Sequence, residues 1–262
     1  MSVKRVDVTS AFAEDPDLKQ ELNKYTEVLE GKMDLELAQF DAGPHEDMDC
    51  RFPIIRTQET LFGNLVANIA RIQNDADIAI INSGTFRSDR IHDSSAPFTY
   101  RDLVTLLPKV CPFVVLVATG EQLLRALENG VSQYPRLEGC FPQVSGISFA
   151  FDPEKPSFSR IDRNEVRIKD QPLDLQKEYL LVTKALLANG GDSYSVLKEC
   201  RVHRDEDACL PTPICVERFF DKMRGSLIPL KLERLSVTLP TNCGRGDISG
   251  AKDGTGVRVR AS

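Results

Sequence analysis

Residues 78–90 read IAIINSGTFRSDR, and the fold turns on how this stretch is taken. Ile78, Ala79, Ile80 and Ile81 form an uninterrupted apolar run with the length and content of a strand buried on both faces. Turn chemistry comes directly after it. Asn82 can hydrogen-bond its own backbone and Gly84 can take positive φ, so the chain leaves the strand here. Arg87 stands a few residues beyond a rigid strand end, where mixed sheets display ligand-binding groups. A guanidinium in that place can clamp a phosphate or a carboxylate through two parallel hydrogen bonds. The same residues also fit a strand, a turn and a surface Arg in a salt bridge, and the stretch alone leaves both readings open.

Upstream, residues 59–72 place Leu61, Phe62, Leu65, Val66, Ile69 and Ala70 on one face, the stripe of an amphipathic helix. Arg56 lies just before it, near a helix N-terminus that favours anions; pairing with Glu59 is an equally simple fate. Residues 14–30 carry Leu18, Leu22, Tyr25, Val28 and Leu29 at helical steps, with Gly31 as the stop. Leu35, Leu37 and Phe40 suggest a short strand, and 41–49 has the composition of a loop.

Downstream, 91–99 reads as loop, Thr99 or Tyr100 opens a short helix to Leu106, and Pro108 stops it. Residues 113–118 form an apolar strand. Thr119 then caps a helix over 120–131 with Gln122 at the capping-box position, and Leu123, Leu124, Leu127 and Val131 give its buried stripe. Ile147, Phe149 and Phe151 alternate as a half-buried strand, Val166 and Ile168 mark another, and 179–183 a third. This last strand runs into a Gly-rich turn. Asn189, Gly190 and Gly191 let backbone approach a ligand there, and Asp192 can accept two hydroxyl hydrogen bonds. A loop whose Asp192 caps a helix over 193–199 fits the same residues. Residues 201–211 read as polar loop and 213–223 as helix; beyond about Gly225 periodicity is lost, and the last twenty residues have a disordered composition. The recurring strand–turn–helix units indicate an α+β fold of mixed α/β layers, a mixed β-sheet flanked by helices.

The totals narrow the function. With 262 residues, 41% hydrophobic and 27% charged, the composition is that of an ordinary globular chain. The net charge of −6 argues against nucleic acid as a partner while leaving room for a local basic pocket. No apolar run approaches the roughly 20 residues that span a bilayer, so no membrane partner is expected. The first residues lack an apolar signal-peptide core, and the seven Cys form no CxxC pair; both point to reduced thiols and a cytoplasmic location. Cys200, Cys209, Cys215 and His203 match no standard zinc spacing, and three His in all leave no His-rich metal centre.

Taken in order, FGNLVANIARI at 62–72, INSGTFRSDR at 81–90, LLP at 106–108, Thr119-Gly120, ALENGV at 126–131, FPQVSGISFAFD at 141–152 and LLANGGDSY at 186–194 form a specific set. Their order and spacing resemble the C-terminal domain of the 5′-nucleotidase and UDP-sugar hydrolase family over about residues 50–225. The resemblance implies a substrate-recognition domain over 50–225, a linker helix and strand over 1–49, and an extension over 226–262 with a disordered tail. It implies that Arg56, Asn82, Gly84 and Arg87 contact the phosphate or base of a nucleotide or sugar phosphate, and that Asp192 holds ribose hydroxyls beside Asn189 and Gly190.

Two positions depart from the family pattern. Lys109 and Leu186 stand where the family has stacking Phe rings, which favours an anion near Lys109; Phe86 or Phe141 could offer a replacement ring. The family's catalysis lies in a preceding metallophosphoesterase domain with two divalent metal ions. Its Asp-x-His and Gly-Asn-His motifs have no counterpart here, so the expectation is no catalytic residue, metal ligand or cofactor in this chain. Hydrolysis of phosphate esters is then expected only when the chain is joined to such a domain or subunit. The alternative is a non-catalytic phosphometabolite-binding or protein-interaction module.

Overall fold

The computed structural model describes residues 5–7, 9–10, 12–41, 48–229, 235–238 and 258–260. From the N-terminus run α1 (Pro16–Met33), β1 (Glu36–Asp41), β2 (Met48–Asp49), α2 (Phe52–Ile55), α3 (Leu61–Gln73), β3 (Ile78–Asn82), β4 (Ile91–His92) and β5 (Phe98–Thr99). Next come α4 (Tyr100–Leu106), β6 (Phe113–Thr119), α5 (Gly120–Val131), β7 (Pro142–Ser145), β8 (Ile147–Phe151), β9 (Arg167–Ile168) and β10 (Gln171–Pro172). The order closes with β11 (Glu178–Lys184), α6 (Ala185–Ala188), β12 (Arg201–Arg204), α7 (Thr212–Lys222), β13 (Leu227–Pro229), β14 (Leu235–Thr238) and β15 (Arg258–Arg260).

The central sheet has the order β12-β6-β11-β3-β7. β3 runs parallel to β11 and antiparallel to β7, so the sheet is mixed as expected. Every residue of β3 is buried because both of its faces are covered. Ala79 and Ile81 face a core with Phe62, Leu65 and Ile69 of α3, whereas Ile78 and Ile80 face a second core with Leu123 and Leu127 of α5. α5 begins at the predicted capping box, with Thr119 Oγ1 accepting from Gln122 N at 3.3 Å and Gln122 Oε1 accepting from Thr119 N at 2.9 Å.

Several segments differ from the sequence expectation. α1 does not stop at Gly31 but continues to Met33, since that glycine does not take the positive φ of a helix-ending turn; its apolar stripe of Leu18, Leu22, Tyr25, Val28 and Leu29 is exposed. The stretches 91–99 and 201–211, read as loops, contain β4, β5 and β12. β12 is an exposed edge strand whose pairing comes from β6 rather than from its own pattern. β7 was not expected, because its buried Gln143 and Ser145 hide the strand behind polar side chains. The linker strand β1 pairs in parallel with β13 from the C-terminal extension, and Phe40 and Ile228 share the core of Phe62, Phe98 and Phe220. Within the tail read as disordered, Arg258–Arg260 pairs with β14, and residues 239–257 lie outside the described residues.

His92 sits in the aromatic part of that core, its ring 5.1 Å from Phe62 and 5.9 Å from Phe98. Burial first, and Arg90 second, push its pKa down to about 4, against an opposing pull from Asp102. In the unfolded chain the same group titrates near 6.5. The unfolded state therefore binds the extra proton between these values, and the stability present above pH 6.5 is lost as pH falls toward 4. We expect His92→Phe to flatten that part of the stability–pH profile by about 2 kcal/mol, after allowance for partial solvent contact. Denaturant melts of parent and variant from pH 7 to 4 check it, and parallel curves would contradict it.

Candidate functional site

The site is built where β3 and β11, neighbours in the sheet, end side by side. Asn82 closes β3 and is buried. Its Oδ1 accepts from Thr85 Oγ1 at 2.8 Å, and its Nδ2 donates to Asp192 Oδ2 at 2.6 Å. Thr85 lies in the short 3₁₀ turn Ser83–Thr85, and its Oγ1 in turn receives Lys184 Nζ at 3.0 Å. A hydrogen-bonded chain thus runs from Lys184 at the end of β11 through Thr85 and Asn82 to Asp192.

Gly84 does not take the left-handed conformation that its residue type allows. Its role is close approach: a Cβ there would stand 3.2 Å from Gly139 Cα, and its N–H donates to Gly139 O at 2.9 Å. Beyond β11 and α6, Gly190 does take positive φ, and Asp192 and Ser193 follow it into the same region. This strained turn delivers the Asp192 carboxylate to Asn82, while Asn129 Nδ2 holds Asp192 O at 3.1 Å. Asp192 is therefore not a helix cap; the 3₁₀ helix Ser195–Glu199 follows Tyr194 with no side-chain cap. Asp192 Oδ1 has no protein partner among the described residues and can accept from a ligand hydroxyl.

The cations gather around the same turn. Arg87 is exposed, its N–H donating to Leu106 O and its Nε to Gly84 O, each at 2.9 Å. Among the described residues it makes no surface salt bridge, the other fate that the sequence allowed. Arg56 ends α2 and lies 4.3 Å over the Phe52 ring. Its Nη1 donates to Leu137 O at 2.8 Å, which replaces the pairing with Glu59, and its buried Nε has no partner among the described residues. Residues 137–139 carry Arg56 to the side of Gly84. Lys109 is exposed. Leu186 and Asn189 stand exposed on and just after α6, at the rim.

Two residues escaped the sequence reading. Lys184 is only 3% exposed, and its amine is held below the usual lysine range by burial and then by Lys109 and Arg87, with Cys111 and Asp192 pulling the other way. Its position directly before the LANGGD turn, matching that of Asn82 on β3, was the available signal. Gln143, on β7, is buried beneath the loop that bears Arg56. It donates to Ile55 O at 3.0 Å and Gln58 O at 2.7 Å and accepts from Thr60 N at 3.2 Å.

The arrangement can bind an anion through Arg56, Arg87, Lys109 and Lys184 and a hydroxyl through Asp192. A cavity of about 260 Å³ opens beside Asp192, lined in part by Asn129, Gln133, Glu138, Gly139 and Phe158. Among the described residues no three His, Cys, Asp or Glu side chains come together to hold a metal ion, and no helix is long and apolar enough to cross a membrane.

The chain is 27% identical to 5′-nucleotidase of Bos taurus over 218 residues, which cover 76% of this chain and 37% of that protein. It is 29% identical to the trifunctional nucleotide phosphoesterase protein YfkN of Bacillus subtilis (strain 168) over 239 residues, 87% of this chain and 16% of the relative. The chain thus spans well under half the length of these relatives. In structure it matches a 5′-nucleotidase precursor from Thermus thermophilus with a TM-score of 0.72 at 30% identity, over 86% of this chain and 43% of the other. A putative 5′-nucleotidase from Staphylococcus aureus, solved in complex with alpha-ketoglutarate, shares the fold with a TM-score of 0.69 at 20% identity over 88% of this chain and 45% of the other. The family model described as "5′-nucleotidase, C-terminal domain" matches residues 39–199, more than half of the sequence, and the chain belongs to that family.

Proposed function

We propose that this chain is the substrate-recognition part of a 5′-nucleotidase-like phosphoesterase and that the turn after β3 binds the phosphate of a nucleotide or sugar phosphate. One observation carries the reading. Arg56, Arg87, Lys109 and Lys184 converge on one turn, and none has a carboxylate ion-pair partner among the described residues. Several cations elsewhere do have a carboxylate partner: Arg51 pairs with Asp49, Arg125 with Glu199 and Lys169 with Asp77. In a chain of net charge −6, so concentrated an uncompensated positive charge is suited to an anionic ligand. The orphaned Arg56 Nε is a further donor without an acceptor.

The described residues do not fit a dimetal centre. In this reading hydrolysis belongs to a metallophosphoesterase domain bearing two divalent ions, with this chain holding and orienting the ester. We expect the chain by itself to bind AMP in calorimetric titration but to release no phosphate from AMP or UDP-glucose with added Mn²⁺ or Zn²⁺. Robust turnover would place the chemistry in this chain. A second reading, a non-catalytic partner-binding module, is favoured by the exposed Val110, Leu137 and Leu186 around the cluster and by the uncovered stripe of α1. Failure to bind any phosphate ester would leave that second reading standing.

A further inference from the structure

Of the four cations in the cluster, only Lys184 is buried; Arg87 and Lys109 are exposed and Arg56 is half-buried. Its strand end is pinned on both sides. Thr183 Oγ1 donates to Ile80 O on β3 at 2.8 Å, and Ala185 N donates to Pro112 O, just ahead of β6, at 3.0 Å. An ammonium in this place brings three donors and no acceptor. Among the described residues it meets one acceptor, Thr85 Oγ1 at 3.0 Å, and two of its N–H groups are left unmade.

The carboxylate that answers this charge does not touch it. Thr85 Oγ1 donates to Asn82 Oδ1 at 2.8 Å, and Asn82 Nδ2 donates to Asp192 Oδ2 at 2.6 Å. Each link runs the same way, from a group that only donates to a group that only accepts. Asp192 is thus joined to Lys184 across three hydrogen bonds, and at that distance it offsets the buried charge only in part. The other charged and titratable groups facing the amine are Arg87, past β3, and Lys109 and Cys111, ahead of β6. Arg87 and Lys109 oppose the charge, whereas Cys111 and Asp192 favour it, and burial is the largest influence of all. A phosphate dianion entering the cluster would supply the missing negative charge and acceptors for the two unmade N–H groups.

We propose that phosphate binding at this site is linked to protonation of Lys184, so that ligand and proton are held together and the site weakens as the amine is neutralised. The linkage rests on the phosphate reading above and adds a regulation by pH. Its sign follows from the charge of the ligand. A dianion favours the ammonium over the amine, so the bound state keeps the proton to higher pH than the free state. Affinity is therefore full while the free site is protonated and falls as pH rises between the two midpoints.

Calorimetric titration of the full chain with ribose 5-phosphate, whose own phosphate is ionised above pH 7.5, tests this. At pH 9, binding enthalpies in buffers of different ionisation enthalpy should show uptake of about 0.3–1 proton per ligand, against nearly none at pH 7.5. Kd should rise about three- to tenfold from pH 7.5 to 9.5. Lys184→Met keeps the length of the stem without the amine; it should bind more weakly, with no uptake and a flat profile over that range. Cys111→Ser removes the neighbouring thiol and should keep the uptake of the parent. The linkage is overturned if Lys184→Met takes up as many protons as the parent, or if Cys111→Ser abolishes the uptake. Should Lys184→Met fail to fold, the parent and Cys111→Ser decide between these results. A parent that binds ribose 5-phosphate without proton uptake from pH 8 to 10 removes the linkage alone. A parent that binds no phosphate ester removes the phosphate reading with it.

Discussion

Arg87→Ala should abolish binding of AMP and of ribose 5-phosphate while leaving the melting temperature within about 2 °C of the parent. The side chain is exposed and its one hydrogen bond within the protein goes to Gly84 O, so its removal opens no cavity and strands no buried charge. A guanidinium–phosphate contact is charge-assisted and can be bidentate, and truncating one such partner costs about 2–5 kcal/mol of binding. That is roughly thirtyfold or more in Kd. Lys cannot reproduce the planar fork, so Arg87→Lys should recover only part of the loss. Titration calorimetry with a parallel thermal melt measures both quantities. Retained binding, or a collapse in melting temperature, would show that Arg87 serves the fold instead.

Gly63→Ala should produce a large loss of stability. A Cβ at Gly63 would stand 1.9 Å from Gln143 Oε1. Gln143 cannot simply swing away, because its amide is buried and holds Ile55 O, Gln58 O and Thr60 N. The added methyl must break some of these bonds, leaving buried backbone groups unpaired at about 1–3 kcal/mol each, or strain α3 by a similar amount. The gain in helix propensity, about 1 kcal/mol, offsets only part of this. We expect a net loss of about 3 kcal/mol and a drop of about 6–12 °C in melting temperature. Gln143→Leu should release the same loop and weaken phosphate-ester binding as well, since Arg56 sits within it. A Gly63→Ala variant as stable as the parent would mean that Gln143 is not the tether its hydrogen bonds describe.

Much of the fold was legible because local signals and tertiary structure agree. β3 reads as an unbroken apolar run since helices cover both of its faces, and α5 announces itself by Thr119 and Gln122. The misses share a cause. β12 takes its backbone partners from β6, and a sequence window does not contain β6. β7 buries Gln143 and Ser145, whose polarity is offset by hydrogen bonds to distant backbone and to Asn68. The stripe of α1 predicted the helix correctly, but periodicity says nothing of whether a partner covers it.

The site divides in the same way. Asn82, Gly84, Arg87 and Asp192 were visible as turn chemistry at strand ends, and the structure joins them. The partner of Arg56 lies at Leu137, far along the chain, so the choice between Glu59 and an open guanidinium could not be read locally. Lys184 looked like an ordinary strand end until burial and its neighbouring cations set it apart. The two rings that the sequence offered as replacements for the family's stacking pair are excluded, because Phe86 and Phe141 are both buried in the core.

The most direct measurement is a crystal structure of this chain soaked with ribose 5-phosphate. The expected result is a phosphate within about 3.2 Å of the guanidinium groups of Arg56 and Arg87, near Lys109, with a sugar hydroxyl on Asp192. A phosphate ordered elsewhere on the molecule, with these side chains still bound only to Leu137 O and Gly84 O, would contradict it.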